Sequence, residues 1–145
     1  MRRLRWLLGL FALVVAGCDE TPQQSAAEAM QKRLVGTWLR EYEEQGTAVR
    51  RVLVLQAQGS FSESSLAVQP ADQPPIRSES SGEWTFDGTN LKRRYLRING
   101  KPLSAPTMPY ATFALSFPSR YEFIGVDHVR KLEVRYQRVG DGTQP

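Results

Sequence analysis

The sequence predicts an all-β domain preceded by one short helix. Beyond Gly36, eight short segments alternate apolar with polar residues, and Gly, Pro, Asn and Asp residues separate them. No stretch with helical periodicity lies between these segments, which argues against a parallel α/β fold. Regular short strands joined by turns are typical of an antiparallel barrel or a β-sandwich, and alternation alone does not distinguish the two.

The first 17 residues have the pattern of a secretory signal peptide. Three arginines among the first five residues precede the apolar run 6–16, and small residues then lead to Cys18. The run is shorter than the roughly 20 residues that a membrane-spanning helix needs. We therefore interpret residues 1–17 as a cleaved signal rather than a retained membrane anchor.

Val15-Ala16-Gly17-Cys18 resembles the lipobox of bacterial lipoproteins. The resemblance implies lipidation of the Cys18 thiol, cleavage after Gly17 and acylation of the new N-terminus, and several acyl chains make such an anchor stable. We expect a bacterial envelope protein that faces the periplasm, with the membrane as a partner. Asp19 resembles the inner-membrane retention signal of enteric lipoproteins, and the outer membrane is the alternative.

Removing residues 1–17 changes the charge and the domain plan. It leaves 16 of the 19 Lys and Arg residues against 15 Asp and Glu, a net charge of +1 rather than +4, which gives little support for nucleic-acid binding. With Cys18 used for lipid, no disulfide can form. We expect residues 18–24 to be a polar tether, 25–139 one β-domain and 140–145 a disordered tail.

A short helix is expected at the start of the domain. Ser25-Ala26-Ala27-Glu28 matches a capping box, with Ser25 as the predicted N-cap. Gly36 is placed to end the helix after about ten residues. One apolar face would be formed by Ala27, Met30 and Leu34.

Eight strands are predicted after the helix. They cover residues 37–44, 50–58, 60–68, 77–86, 91–98, 111–117, 121–126 and 132–139. Among the predicted connections are a turn at Gln45-Gly46 and two proline-containing loops, at 69–77 and 99–110.

Gly36-Thr37-Trp38, at the start of the first strand, resembles the G-x-W signature of lipocalins. The resemblance covers residues 30–139 and implies a small up-and-down barrel of about eight strands, with the β-sandwich as the alternative. It also implies that Trp38 closes the barrel end beneath the helix and that an arginine of the last strand, Arg138 or Arg135, stacks on it. Short strands favour an interior filled by side chains over one that holds a ligand.

A second Gly-x-Trp arrangement lies in the fourth predicted strand. Gly82, Trp84 and Phe86 share one strand face, since successive side chains alternate. We interpret Trp84 and Phe86 as core residues, and the alternative places Trp84 in a pocket wall that contacts a ligand or partner.

Arg93, Tyr95 and Arg97 alternate along the fifth predicted strand. We favour a solvated surface stripe. The alternatives are a surface that contacts anionic headgroups or a partner, and an inward lining that binds a carboxylate or phosphate. An inward arginine would need a counter-charge, because burying an unpaired charge is costly.

No residue set indicates catalysis or metal binding. His128 is the only histidine and lies beside Asp127 in a predicted turn, where the neighbouring carboxylate cannot easily orient its ring for a triad. We therefore expect no enzyme activity, no metal and no cofactor. Glu41, Glu43 and Glu44 are typical of a strand edge kept soluble by charge.

The functional expectation is a membrane-anchored, non-enzymatic lipoprotein that binds a small hydrophobic or amphipathic ligand, by analogy with lipocalins. The alternative is a protein-interaction module with a filled barrel, either an envelope assembly factor or an inhibitor of the immunity type. In that case the loops at 69–77 and 99–110 would make the contacts. A continuous apolar cavity near Trp84, Phe86, Phe113 and Phe117 would favour the ligand, and a packed interior would favour the partner.

Overall fold

The computed structural model describes residues 22–70, 73–104 and 109–145. The predictions for the signal peptide and for Cys18 lie outside these residues. Within them, no helix combines the length and the apolar character needed to cross a bilayer.

One helix and nine strands follow one another along the described chain. They are α1 (Pro22–Leu34), β1 (Gly36–Glu44), β2 (Thr47–Leu55), β3 (Ser60–Val68), β4 (Ile76–Phe86), β5 (Asn90–Ile98), β6 (Lys101–Pro102), β7 (Tyr110–Ser119), β8 (Glu122–Asp127) and β9 (Glu133–Val139). The eight predicted strands match within a few residues. The two-residue β6, which folds back on β5 through Asn99-Gly100, was not predicted.

Eight of the strands close into an antiparallel barrel. Each long strand pairs with the next one along the chain, β5 pairs with β7 across the short β6, and β1 pairs with β9. Thr37 faces Val139 and Trp38 faces Arg138 in the closing pair. The predicted up-and-down barrel with a short helix is confirmed, and the sandwich alternative is wrong because the ring of strands is complete.

The two ends of the barrel differ. At one end, where β1 begins and β9 finishes, α1 packs through Leu34 and Met30 against the core; we call it the helix end. The opposite end carries the turn at Gln45-Gly46, the loops after β3 and β5 and the connection between β8 and β9; we call it the rim end. β1 pairs with β9 only as far as Leu39, so the three glutamates expected at a strand edge lie where β1 has one neighbour.

The helix begins earlier than predicted. Pro22 opens it, in keeping with the preference of proline for a first helical turn, where its missing N–H is not needed. Ser25 is therefore inside the helix, and its hydroxyl donates to the Pro22 carbonyl at 2.9 Å instead of accepting from an amide as an N-cap. Residues 22–24, which were expected to belong to the tether, are part of α1. Leu34 is fully buried, as the apolar face predicted.

Aromatic side chains fill the half of the barrel next to the helix. Phe123 packs edge-on against Trp38, with ring centroids 4.7 Å apart, and stacks on Tyr136 at 4.9 Å. Trp84 is 2% exposed and donates its indole N–H to the Gln56 carbonyl at 2.9 Å. This packed region is continuous with Leu34 of α1.

The C-terminal residues 140–145 are held against the barrel. Thr37 donates to the Asp141 carboxylate at 2.8 Å, and the Arg50 guanidinium donates to the Gln144 carbonyl at 3.2 Å. The expectation of a disordered tail is thus corrected. The tail has polar partners on β1 and β2 that its own composition does not reveal.

Candidate functional site

Three charged side chains meet inside the barrel and form what we call the charged layer: Arg51 of β2, Glu63 of β3 and Arg93 of β5. The Arg93 guanidinium lies 2.6 Å from the Glu63 carboxylate, and their side chains are only 4% and 10% exposed. Arg51 approaches the other carboxylate oxygen at 3.8 Å. The charged layer lies between the aromatic core and the rim end, and a single carboxylate serves two guanidinium groups.

Aromatic rings surround the charged layer. The Arg93 guanidinium lies 5.3 Å from the centre of the Phe113 ring and 5.5 Å from those of Phe61 and Tyr95. Arg51 donates to the Tyr42 hydroxyl at 3.2 Å. A cation within about 6 Å of a ring centre is attracted by the ring's π-electrons, and the attraction is stronger when water is excluded. The rings therefore help to offset the cost of burying Arg93.

The electrostatics of the charged layer favour ionised side chains. Burial alone would raise the pKa of the Glu63 carboxyl, but the charges of Arg93 and Arg51 outweigh it and hold this pKa below its ordinary value. Burial, together with the Glu63 charge, raises the pKa of Tyr136 to about 12. The Nε atoms of Arg51 and Arg93 are buried without a hydrogen-bond partner among the described residues. The charged layer thus has a surplus of positive charge and of donors.

The expectation of a solvated stripe on β5 is wrong for Arg93, which is 3% exposed, and Tyr95 is half-buried against Phe61. Arg97 is on the outside. Tyr95 pairs with Gly82 while Arg97 pairs with the adjacent Ser81, so a bulge at Leu96 reverses the alternation. The three residues therefore do not share one face.

Trp84 and Phe86 are core residues, 2% and 8% exposed. Phe86 packs edge-on against Phe117, with centroids 6.3 Å apart. Three clefts on the described residues lie elsewhere: about 400 Å³ beside Arg97, about 410 Å³ beside the C-terminal tail, and about 600 Å³ at the helix end. None of these three clefts is lined by the four aromatic residues considered for a ligand cavity.

The helix end is closed by the Gly36, Trp38 and Arg138 arrangement. The Arg138 guanidinium lies 4.3 Å from the Trp38 ring centre and donates to the carbonyls of Val35 and Arg33. A side chain at Gly36, whose φ is +133°, would collide with the Arg138 guanidinium. Arg135, the other arginine considered, is exposed and pairs with Glu122.

The rim end carries most of the exposed large hydrophobic side chains. Of eight such residues in the described ranges, only Tyr121 is at the helix end. The other seven, which we call the rim, are Val68, Ile76, Ile98, Tyr110, Val126, Val129 and Leu132. Val129 is 89% exposed and Leu132 58%. Contiguous exposed apolar side chains are typical of an interaction surface, and within the rim Val129 and Leu132 lie in one connection, between β8 and β9.

Sequence reasoning missed Arg51, Glu63 and the rim. In β3, Glu63 is two residues from both Phe61 and Ser65, so all three side chains point to the same, inward face. In β2, Arg51, Leu53 and Leu55 follow one another at the same two-residue spacing. This alternation along each strand was a usable signal for charged residues that face the interior. The rim had none, because its members are scattered over five strand ends and the connection between β8 and β9.

His128 is exposed, and its ring Nε2 lies 2.9 Å from the Asn90 amide oxygen. The Asp127 carboxylate accepts the N–H groups of Val129 and Arg130, each at 2.7 Å, and so belongs to the turn. Among the described residues, no three His, Cys, Asp or Glu side chains come close enough to hold a metal ion.

No protein-family model matches the chain, and no curated protein matches it at a significant level.

Proposed function

We propose that this chain is a membrane-anchored, non-enzymatic bacterial envelope lipoprotein, and that its filled barrel is a protein-interaction module. The lipobox motif at Val15-Ala16-Gly17-Cys18 supports the anchor. The observation that carries the interaction role is the concentration of exposed apolar side chains at the rim end, away from the helix that follows the anchor.

The packing supports a partner rather than a small hydrophobic ligand. The interior next to the helix is occupied by Trp38, Trp84, Phe86 and Phe123, each at most 8% exposed. The next layer toward the rim contains the Arg93–Glu63 ion pair. An apolar molecule placed there would contact charged groups without hydrogen-bonding to them, which is unfavourable. Eight-stranded barrels can be filled entirely by side chains, and a filled barrel presents its loops for recognition.

The chemistry of the rim describes the partner. Val129 and Leu132 bracket Arg130 and Lys131 within one exposed turn. An apolar patch bordered by carboxylates on an envelope protein would match this turn, because complementary charges set orientation while buried apolar area supplies affinity.

The interaction role is tested with the full-length protein solubilised from membranes. Val129→Ser combined with Leu132→Ser should abolish co-purification of a stoichiometric partner. Tyr121→Ser is the matched control, since Tyr121 is 60% exposed but lies at the helix end. Native mass spectrometry that finds no protein partner and a small-molecule adduct other than a phospholipid would instead support ligand carriage.

The anchor has a separate test. Cys18→Ala should abolish incorporation of labelled fatty acid and release the protein from the envelope membrane. Labelling that persists in this variant would show that the lipobox interpretation is wrong.

A further inference from the structure

Three arginines from distant parts of the chain line one cleft at the helix end. Arg33 is in the last turn of α1, Arg120 is in the turn between β7 and β8, and Arg138 is in β9. With Tyr121 they enclose a volume of about 600 Å³. We call this the arginine cleft.

Contacts with other parts of the fold restrain Arg33 and Arg138, whereas Arg120 is exposed beside its neighbour Tyr121. Arg33 donates to the Ser119 carbonyl at 3.2 Å and lies 5.2 Å from the centre of the Phe117 ring. Arg120 lies 5.6 Å from the Tyr121 ring centre. Arg138 is fixed by the Val35 and Arg33 carbonyls and by Trp38, as described above.

The arginine cleft has no ion-pair partner of its own. Across the described parts of the chain, no carboxylate lies within ion-pair distance of its three guanidinium groups. Burial and the neighbouring charge of Arg33 lower the pKa of Arg138, and the more distant Asp141 offsets this only in part. The like charges of Arg33 and Arg138 thus lie close enough to interact, and an added anion would reduce their repulsion.

Phosphate is the anion whose chemistry fits best. A guanidinium group presents parallel N–H donors that match two phosphate oxygens, and three such groups around one cleft can share one phosphate. The anchor also limits how far the cleft can lie from the membrane. Only residues 19–21 separate Cys18 from Pro22, the first residue of α1, so the helix starts within about 14 Å of the cysteine, and Arg33 lies roughly 17 Å farther along the helix.

We propose that the arginine cleft binds the phosphate of an anionic phospholipid headgroup, and that this contact holds the helix end against the bilayer. The membrane as the source of the phosphate rests on the proposed lipid anchor at Cys18. The rim is then directed away from the membrane, toward other proteins of the envelope.

The test uses full-length protein in detergent, titrated with equimolar phosphatidylglycerol and phosphatidylcholine and observed by native mass spectrometry. The wild type should retain one phosphatidylglycerol in preference to phosphatidylcholine. Arg33→Gln combined with Arg120→Gln should weaken that retention about 30-fold, which is the effect of removing two arginines near an anionic surface. Arg138 is left in place because it also supports Trp38.

The control variant is Arg77→Gln combined with Arg97→Gln, which removes the same charge from exposed positions on β4 and β5. It should bind phosphatidylglycerol as the wild type does. Equal loss in both variants, no loss in the cleft variant, or equal retention of the two lipids would overturn the proposal. Displacement of the lipid by submillimolar inorganic phosphate would show that the cleft binds free phosphate and would likewise overturn the lipid assignment.

The same spectra separate this proposal from the anchor. The intact mass reports acylation of Cys18 independently of the retained phospholipid. A lipidated chain without a phosphatidylglycerol adduct contradicts the cleft alone, whereas an adduct on an unlipidated chain contradicts the anchor alone. Equal unfolding midpoints for the two double variants would exclude a folding defect as the cause of lost binding.

Discussion

The Glu63 carboxylate lies 2.6 Å from the Arg93 guanidinium inside the barrel, although β4 separates their strands in the sheet. The contact therefore crosses the interior rather than following the wall. It joins β3 to β5 among the rings of Phe61, Tyr95 and Phe113. Its contribution to stability depends on both partners being present, because either charge alone would be buried without compensation.

Glu63→Gln should destabilise the fold strongly. The substitution leaves Arg93 buried without its counter-charge, and breaking a buried pair in this way costs about 3–5 kcal/mol of unfolding free energy. The measurement is equilibrium denaturation in urea, followed by tryptophan fluorescence.

Glu83→Gln provides the matched control for that experiment. Glu83 also pairs with an arginine, Arg94, but its side chain is 53% exposed. Exposed pairs of this kind contribute at most about 1 kcal/mol. A loss for Glu63→Gln no larger than that of the control would show that Arg93 is reached by water.

The effect of Glu63→Gln should depend on pH. The pKa of Glu63 lies below its ordinary value of 4.5 in the folded protein, so ionisation stabilises the fold at pH values above that value. This contribution is lost as the pH falls through the folded pKa. The difference in unfolding free energy between wild type and variant should therefore shrink below about pH 4.5. Asp87→Asn, in an exposed turn, is the control and should not alter this decrease in the difference in unfolding free energy. A difference that stays constant between pH 7 and pH 3 would contradict the expectation.

Arg138→Met should weaken the helix end. It keeps an apolar stem but removes the stacking on Trp38 and two charged hydrogen bonds to the end of α1, a combined loss of about 2–4 kcal/mol. Arg135→Met is the control on the same strand, and it should cost about 1 kcal/mol or less because its ion pair is exposed. Both values come from urea unfolding. Similar losses for the two variants would mean that the stacking contributes little.

Gly82→Ala should disrupt the pairing of β4 with β5. A Cβ at this position would overlap the carbonyl oxygen of Arg94 and press on the Phe61 ring, so the strands must separate at the bulge. We expect a loss of at least about 2 kcal/mol, as for other overpacked interiors. Gly140→Ala, where a Cβ has open space, should be close to neutral. Thermal unfolding of the two variants makes the comparison, and a wild-type midpoint for Gly82→Ala would contradict the observed backbone contact.

The strands could be predicted from sequence because each one alternates over several residues and ends at a turn residue. β3 was predicted with its observed bounds, and the core positions of Trp84 and Phe86 follow from alternation alone. Alternation no longer predicts which face a residue occupies where the register changes. The bulge at Leu96 turns Arg97 outward while Arg93 stays inside. Alternation also separates only inward from outward residues within one strand, so it cannot reveal that residues from β2, β3 and β5 meet. The arginine cleft was beyond reach for the same reason, since its members come from a helix, a turn and the last strand.

Closure of the barrel by β1 and β9 has a consequence for how the chain acquires its structure. The pairing of Trp38 with Arg138 spans 100 residues, so β1 keeps an unpaired edge until almost the whole polypeptide has been delivered. Contacts of such long sequence separation slow folding, and open strand edges invite association with other chains. A newly made chain that stops before β9 would therefore be an open sheet with an exposed edge that is prone to association. Addition of β9 pairs that edge and closes the barrel.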